Sequence, residues 1–336
     1  MKIRLMIMML GAVLMTAPGI FCYSQPNCKL RPSQTLLLYP DGQESDKGLE
    51  GASGPCTSNG FTNPEMTSKE GNISYISDKA RIDLYFPKKP NGQMAIVCPG
   101  GGYWIVSSWN EGTYVVDWLT SQGITACVVK YRLPNGHDEI PLTDVQNAFR
   151  YCRSHAAEWG ISQIGVMGFS AGGHLAASAS TLYTDETTRP DFSVLIYPVI
   201  SLEKDITHMG TRENLLGPDK MWNDTDRKVD EYFEVQNRHE ELILHYSLEN
   251  QVTEDTPPTF IAHCTDDTTV PVENSLRYYS SLTGNGVPAE MHIYPTGGHG
   301  WGFSSEKFIG KGNDRLAYCR KEFETSLGRW LESLRK

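Results

Sequence analysis

From about residue 72 onward, short runs rich in β-branched and aromatic residues alternate with amphipathic stretches, and this alternation constrains the fold more than any other feature. The strand-like runs are Arg81–Phe86, Met94–Cys98, Ile124–Tyr131, Ile164–Met167, Phe192–Val199, Thr259–Cys264 and Pro288–Tyr294. Several, such as AIVC and SVLIYPV, are unbroken apolar stretches, as strands covered on both faces must be. Helix-like segments fall between them. Thr143 reads as the N-cap of a run to Trp159, with Val145, Ala148, Phe149 and Cys152 on one face and Gly160 as a stop. Ser170–Leu182, Val272–Leu282 and Leu316–Leu334 read as further helices. Strands and helices in regular succession predict an α/β fold with a mostly parallel central sheet and helices on both faces.

Two regions break the pattern. Residues 25–71 are rich in Gly, Ser, Pro and Asn and read as a loop-heavy lead-in with one strand, Thr35–Tyr39. Residues 202–256 form a long polar insertion between two buried strands, a placement expected to lie over a functional site. No repeat or linker divides the rest, so residues 25–336 are expected to form a single domain. Ahead of it, Lys2 and Arg4 precede the apolar run Leu5–Met15, which is too short to cross a bilayer as a helix and is patterned as a secretory signal peptide. Small residues at Cys22 and Ser24 suit cleavage before Gln25, so residues 1–24 are expected to be removed and the protein to be secreted or periplasmic. Bulky Phe21 argues against a lipid anchor at Cys22.

Composition serves as a set of exclusions. With 39% hydrophobic and 21% charged residues, the chain can bury a sizeable core. Its 30 Lys plus Arg against 40 Asp plus Glu leave a net charge of −10 and no basic cluster, which argues against a nucleic-acid partner. The 8 cysteines show no CxxC and no paired Cys/His spacing, so no metal site is expected. Cys98, Cys127 and Cys264 lie in or beside β-like runs and read as small core hydrophobes. Cys28 and Cys56 are candidates for a disulfide, a pairing the sequence leaves open.

The sharpest local signal is Gly168-Phe169-Ser170-Ala171-Gly172, which follows the strand-like IGVM and opens a helix of small residues. That is the strand–turn–helix setting of a nucleophile elbow, where side chains flanking the serine would clash. Upstream, Gly100-Gly101-Gly102 closes the strand MAIVCP, and backbone N–H groups in such a loop can approach a ligand as an oxyanion hole requires. Downstream, one strand ends on Asp266 and Asp267, and the next ends on the glycine-rich loop Gly297-Gly298-His299-Gly300. A serine nucleophile needs a base and an orienting acid, and both fall at strand ends in the order Ser, Asp, His. His174, His263 and His292 lie within helix- or strand-like runs and read as structural.

Together, GFSAGGH, PGGGY, TPPTFIAHCTDDTTVPVENS and EMHIYPTGGHGWGF resemble the α/β-hydrolase esterases of the acetylxylan-esterase and feruloyl-esterase type, over about residues 75–335. Pro99 stands where many such esterases carry histidine. The resemblance implies an α/β-hydrolase fold and a secreted serine carboxylesterase acting on an acylated oligo- or polysaccharide. Acetyl removal from hemicellulose is the first reading and feruloyl removal the second. A serine peptidase of the prolyl-oligopeptidase type is a third, although the residues ahead of the domain are too few for the propeller such peptidases carry. The resemblance places the nucleophile at Ser170, the base at His299 and the acid at Asp267 through the pattern D-x-x-V-P, with Asp266 as the alternative. It assigns the oxyanion to the N–H groups of Gly101 or Gly102 and of Ala171, and implies no metal or organic cofactor. Tyr103, Trp104, Trp109 and Trp301 flank these loops and are candidates to stack on sugar rings, with ordinary packing as the alternative. Met221, Trp222, Tyr232 and Phe233 of the insertion are candidates to shape an acyl pocket.

Overall fold

The computed structural model describes residues 30–39, 65–67, 73–76, 80–224 and 228–335. The expected signal peptide (residues 1–24), Cys22 and the two disulfide candidates Cys28 and Cys56 lie outside the described residues. Eight strands form the main sheet: β1 (Gln34–Leu37), β4 (Arg81–Tyr85), β5 (Gln93–Cys98), β7 (Thr125–Lys130), β8 (Gln163–Phe169), β9 (Ser193–Ile196), β10 (Thr259–Cys264) and β11 (Ala289–Tyr294). Their order is β1-β4-β7-β5-β8-β9-β10-β11. β4 runs antiparallel to both neighbours, and from β7 to β11 every pair is parallel. Three short strands, β2 (Glu65–Thr67), β3 (Ile73–Ile76) and β6 (Val106–Ser107), make a separate antiparallel sheet.

Helices cover both faces of the main sheet. In chain order they are α1 (Tyr114–Ser121), α2 (Glu139–Trp159), α3 (Ser170–Thr181), α4 (Met209–Leu216), α5 (Asp219–Trp222), α6 (Val229–His245), α7 (Glu273–Gly284), α8 (Glu306–Ile309) and α9 (Arg320–Ser333). Because β5, β7, β8, β9 and β10 are buried throughout, their side chains feed two cores, one on each face. On one face Ile96, Val166, Leu195 and Ile261 pack with Phe149 and Leu175. On the other, Val97, Met167, Ile196 and Ala262 pack with Trp301, Phe303 and Phe323. The cysteines of the sheet are buried thiols, as small core residues.

The local departures from expectation have plain causes. α2 begins at Glu139, one turn before Thr143. Pro141 is tolerated because the first turn of a helix leaves its N–H groups unpaired, and Thr143 Oγ donates back to the Glu139 carbonyl at 2.9 Å. At the far end Gly160 adopts φ +66 and closes the helix as anticipated. β9 stops at Ile196 rather than running to Val199, because Tyr197 turns into the left-handed region at φ +38. No helix among the described residues is long and apolar enough to cross a membrane.

Candidate active site

The parallel strands β5, β8, β10 and β11 all deliver their C-terminal ends to one edge of the sheet. At the end of β8 the chain turns directly into α3, and Ser170 sits on the turn at φ +52, a conformation costly for a residue with a Cβ. The flanking glycines are demanded by crowding. A Cβ on Gly168 would stand 2.1 Å from the Gly172 carbonyl oxygen, and one on Gly172 would stand 2.2 Å from that of Cys98 and 2.4 Å from that of Pro99. The start of α3 therefore rests against the end of β5, where the chain enters the tri-glycine loop. The Val199 N–H anchors the turn by donating to the Ser170 carbonyl at 3.0 Å.

Beyond β11, His299 is held in a loop where Gly297, Gly298, Gly300 and Gly302 all have positive φ. Its Nε2 lies 2.8 Å from Ser170 Oγ and its Nδ1 2.7 Å from Asp267 Oδ2. A carboxylate only accepts, so Nδ1 carries the ring hydrogen and Nε2 is left to accept from the serine hydroxyl. Arg315 donates to the His299 carbonyl at 2.8 Å and fixes the peptide. Asp267 is buried and fully subscribed: Oδ1 accepts from the Thr269 and Val270 N–H groups at 2.9 Å each, and Oδ2 also accepts from His263 Nε2 at 3.2 Å. Burial pushes the Asp267 carboxyl up, but the hydrogen bonds from His263, His299 and Val270 outweigh it and hold the group well below the ordinary carboxylate range. Asp266 takes no part in this chain. It is exposed and accepts from the Gly298 and Gly297 N–H groups at 2.8 and 3.2 Å, tying down the histidine loop.

The tri-glycine loop faces Ser170 from β5. Gly101 has φ +128, and a Cβ there would lie 2.3 Å from the Ile105 carbonyl oxygen, so no other residue fits. The Gly101 carbonyl accepts from the Trp104 and Ile105 N–H groups, whereas the Gly101 and Gly102 N–H groups donate to no carbonyl among the described residues. Ala171, second in α3, likewise has no carbonyl one turn back within the helix. Asn214 of α4 braces the loop from the insertion by donating to the Gly102 carbonyl at 2.8 Å. His208 stands beside it, 3.6 Å from where a Gly102 Cβ would be, and its Nδ1 caps α4 by accepting from the Thr211 N–H. Burial, and then the proximity of His299, lowers the pKa of His208. Thus the N-terminal part of the insertion does reach the tri-glycine loop, through His208 and Asn214. Trp222 is taken up by stacking on His239 at 4.6 Å, and Met221 and Phe233 are exposed.

Two aromatic expectations are corrected. Tyr103 is 2% exposed, and its hydroxyl bonds His174 Nδ1 at 3.1 Å in the core behind the loop. Trp301 is 1% exposed and packs edge-on between Tyr197 and Phe323. Neither can stack on a sugar, because the space that a sugar would occupy is filled by protein. Trp104, 41% exposed, remains accessible beside the loop. His174 is a core residue: its Nε2 donates to the Tyr246 carbonyl at 2.8 Å, and burial lowers its pKa to about 4. Glu111, Tyr197 and His208 carry no local sequence signal, and His263, in a strand-like run, reads as structural. For His263 a signal existed, since a histidine in the otherwise apolar strand FIA-H-C needs a buried partner, and Asp267 four residues on supplies it.

A sheet with one antiparallel strand near its edge, a serine on a strained strand–helix turn, and an acid and a histidine at the ends of later strands define a class. The chain belongs to the α/β-hydrolase fold family, whose profile matches residues 96–303. It is similar to an acetylxylan esterase of Xylanibacter ruminicola, at 37% identity over 82% of this chain and 52% of that protein. It is also similar to endo-1,4-beta-xylanase B of Butyrivibrio fibrisolvens, at 30% identity over 80% of this chain and 42% of that protein. The chain thus spans about half the length of these curated relatives. Among solved structures it is similar to an acetyl ester-xyloside bifunctional hydrolase from Caldicellulosiruptor lactoaceticus, with a TM-score of 0.61 and 30% identity, over 89% of this chain and 98% of that one.

Proposed function

We propose that this protein is an exported serine carboxylesterase that removes acetyl groups from xylan-type hemicellulose or its oligosaccharides. The observation that carries the reading is the run of hydrogen bonds from Ser170 through His299 to Asp267, at 2.8 and 2.7 Å. In this reading Ser170 Oγ attacks the ester carbonyl while His299 Nε2 takes its proton, and Asp267 keeps the ring hydrogen on Nδ1 and faces the imidazolium that forms. The oxyanion develops toward the N–H groups of Ala171 and of Gly101 or Gly102, one such donor being worth about 10²–10³ in rate. His299 then returns its proton to the leaving sugar hydroxyl. Water, activated by the same histidine, hydrolyses the acyl-serine and releases acetate. These steps use protein groups and water alone.

The acetylated xylan substrate is supported by the names that the relatives carry and by exposed Trp104 beside the tri-glycine loop, where a sugar ring can stack. Export is supported by Lys2, Arg4 and the apolar run after them. Acetate release from acetylated xylan oligosaccharides, with Ser170→Ala beside wild type, tests the reading. Release by wild type alone is the expected result. Equal release by both proteins would overturn the serine mechanism. Hydrolysis of an aryl acetate but not of the xylan ester would overturn the substrate and move the search to feruloyl esters. For export, the expected N-terminus of the secreted protein is Gln25, and a cytosolic protein with Met1 intact overturns that part.

A further inference from the structure

Between the tri-glycine loop and α1, the chain makes a π-helical turn at Trp109–Thr113. Such turns are rare and are found frequently at functional sites. Two polar side chains leave this one in different directions. Glu111 is 4% exposed and reaches under the tri-glycine loop, where its Oε2 accepts from the Gly100 N–H at 2.9 Å. Its Oε1 accepts from the Tyr197 hydroxyl at 2.8 Å, and the Tyr197 ring lies 4.8 Å from the His299 ring. Asn110 turns the other way. Its Nδ2 donates to the Gly300 carbonyl at 2.8 Å, and its Oδ1 accepts from the Ser304 hydroxyl. The fit is tight throughout: a Cβ on Gly100 would lie 2.8 Å from Glu111 Oε2, 2.9 Å from Ser170 Cβ and 2.5 Å from the Phe169 carbonyl oxygen.

A carboxylate in such a place is expensive. Burying it strips the charge of its solvation, and a well-packed apolar side chain of similar size would serve stability alone better. The position of its oxygens says what it does instead. One holds the first peptide of the oxyanion loop, and the other holds the ring that supports His299. Asn110, next to it, holds the carbonyl of Gly300, the residue after His299. We infer that Glu111 is a positioning residue of the esterase centre, which with Asn110 locks the tri-glycine loop and the histidine loop into one geometry through Gly100, Tyr197 and Gly300. The inference rests on the esterase reading above. Burial raises the Glu111 carboxyl, and the Tyr197 hydroxyl, His299 and the Gly100 N–H counter it, consistent with a group enclosed by donors.

The experiment measures kcat and KM on an aryl acetate for wild type, Ser170→Ala, Glu111→Gln, Tyr197→Phe and the double variant Glu111→Gln/Tyr197→Phe, with a melting temperature for each. Glutamine keeps the size of Glu111, but its one oxygen must serve the Gly100 N–H, which cannot reverse, so its NH2 faces Tyr197 and takes away the acceptor of that hydroxyl. The loop donors act on the transition state, so the expected result is a loss in kcat of at least about tenfold with KM within about twofold. Tyr197→Phe is expected to lose less, and the double variant to lose no more than Glu111→Gln alone, because both changes break one shared bond. A stably folded Glu111→Gln protein with wild-type kcat overturns the inference, as does a loss that appears only in KM. Should Glu111→Gln fail to fold, Tyr197→Phe decides: wild-type kcat there also overturns it. A wild type no faster than Ser170→Ala fails the esterase reading itself, and the brace with it.

Discussion

Asp267→Asn separates the two neighbouring aspartates, and its magnitude follows from four hydrogen bonds. The Thr269 and Val270 N–H groups, each 2.9 Å from Oδ1, are backbone donors that cannot be reversed, so the oxygen of the new amide must take that side. The NH2 then occupies the place of Oδ2, facing His299 Nδ1 and His263 Nε2. His263 stays a donor because its Nε2 also faces the Val270 carbonyl at 3.0 Å, so it now meets the NH2 hydrogen to hydrogen. His299 can satisfy the amide only by accepting at Nδ1, which moves the ring hydrogen to Nε2 and points it at Ser170 Oγ. The base is then in the wrong tautomer, and the loss expected in kcat is about 10⁴, roughly 5.5 kcal/mol of transition-state stabilisation. Asp266→Asn keeps an oxygen for the Gly298 N–H and loses the longer bond from the Gly297 N–H with the charge assistance, both on an exposed residue, so a loss below about tenfold is expected. Aryl acetate kinetics on both variants, with melting curves, make the comparison. A larger loss in Asp266→Asn, or Asp267→Asn within tenfold of wild type, refutes the tautomer argument. The sign for stability follows as well. A carboxyl held below its unfolded value contributes stability above about pH 4 that fades as pH falls through the folded value, so Asp267→Asn is expected to flatten the acid limb of the melting temperature.

Gly172→Ala should cost both stability and kcat, because the new Cβ, 2.2 Å from the Cys98 carbonyl oxygen, has to push the start of α3, with Ser170, off the end of β5; a variant with wild-type melting and kcat would mean that the strand end is not pressed against the helix. Lys130 is 6% exposed and donates to Ser108 Oγ, and burial lowers its ammonium from 10.5 to about 8. That depressed value is a penalty, fully present below pH 8 and lifted as pH rises toward 10.5, so Lys130→Met is expected to stabilise the protein at pH 7 by up to about 3 kcal/mol, less the lost Ser108 bond, with the gain shrinking by pH 10. Denaturant melts at the two pH values check the sign, and a pH-independent difference contradicts it. Trp104→Ala should raise KM several-fold for an acetylated xylan oligosaccharide and leave an aryl acetate unaffected; equal effects on the two substrates would assign Trp104 to the loop's structure rather than to sugar contact.

Which of these features could be read from the chain alone follows from how local their physics is. A strand buried on both faces must be apolar throughout, so β5, β7, β8 and β10 declare themselves within a residue or two, and with them the mostly parallel α/β sheet, while the hydrolase fold is implied by the resemblance of the motifs. Gly168 and Gly172 are legible for a similar reason: a Cβ at either meets a neighbour at close to 2 Å, and only glycine meets that demand. Local rules also explain the errors. α2 begins a turn before the expected N-cap Thr143 because a first turn accepts Pro141, and the eight residues of α1 are too few for a helical period to stand out in the sequence. Glu111 is different in kind. Its partner Tyr197 is 86 residues away, and nothing in the stretch SWNEGT distinguishes a carboxylate destined for burial from one facing water. The aromatic residues teach the same lesson. Tyr103 and Trp104 are adjacent in sequence, yet the left-handed turn at Tyr103, φ +56, sends one side chain into the core against His174 and leaves the other exposed. A residue type announces which chemistry is on offer. Whether that chemistry faces the site is decided by backbone turns and long-range partners that only the folded chain brings together.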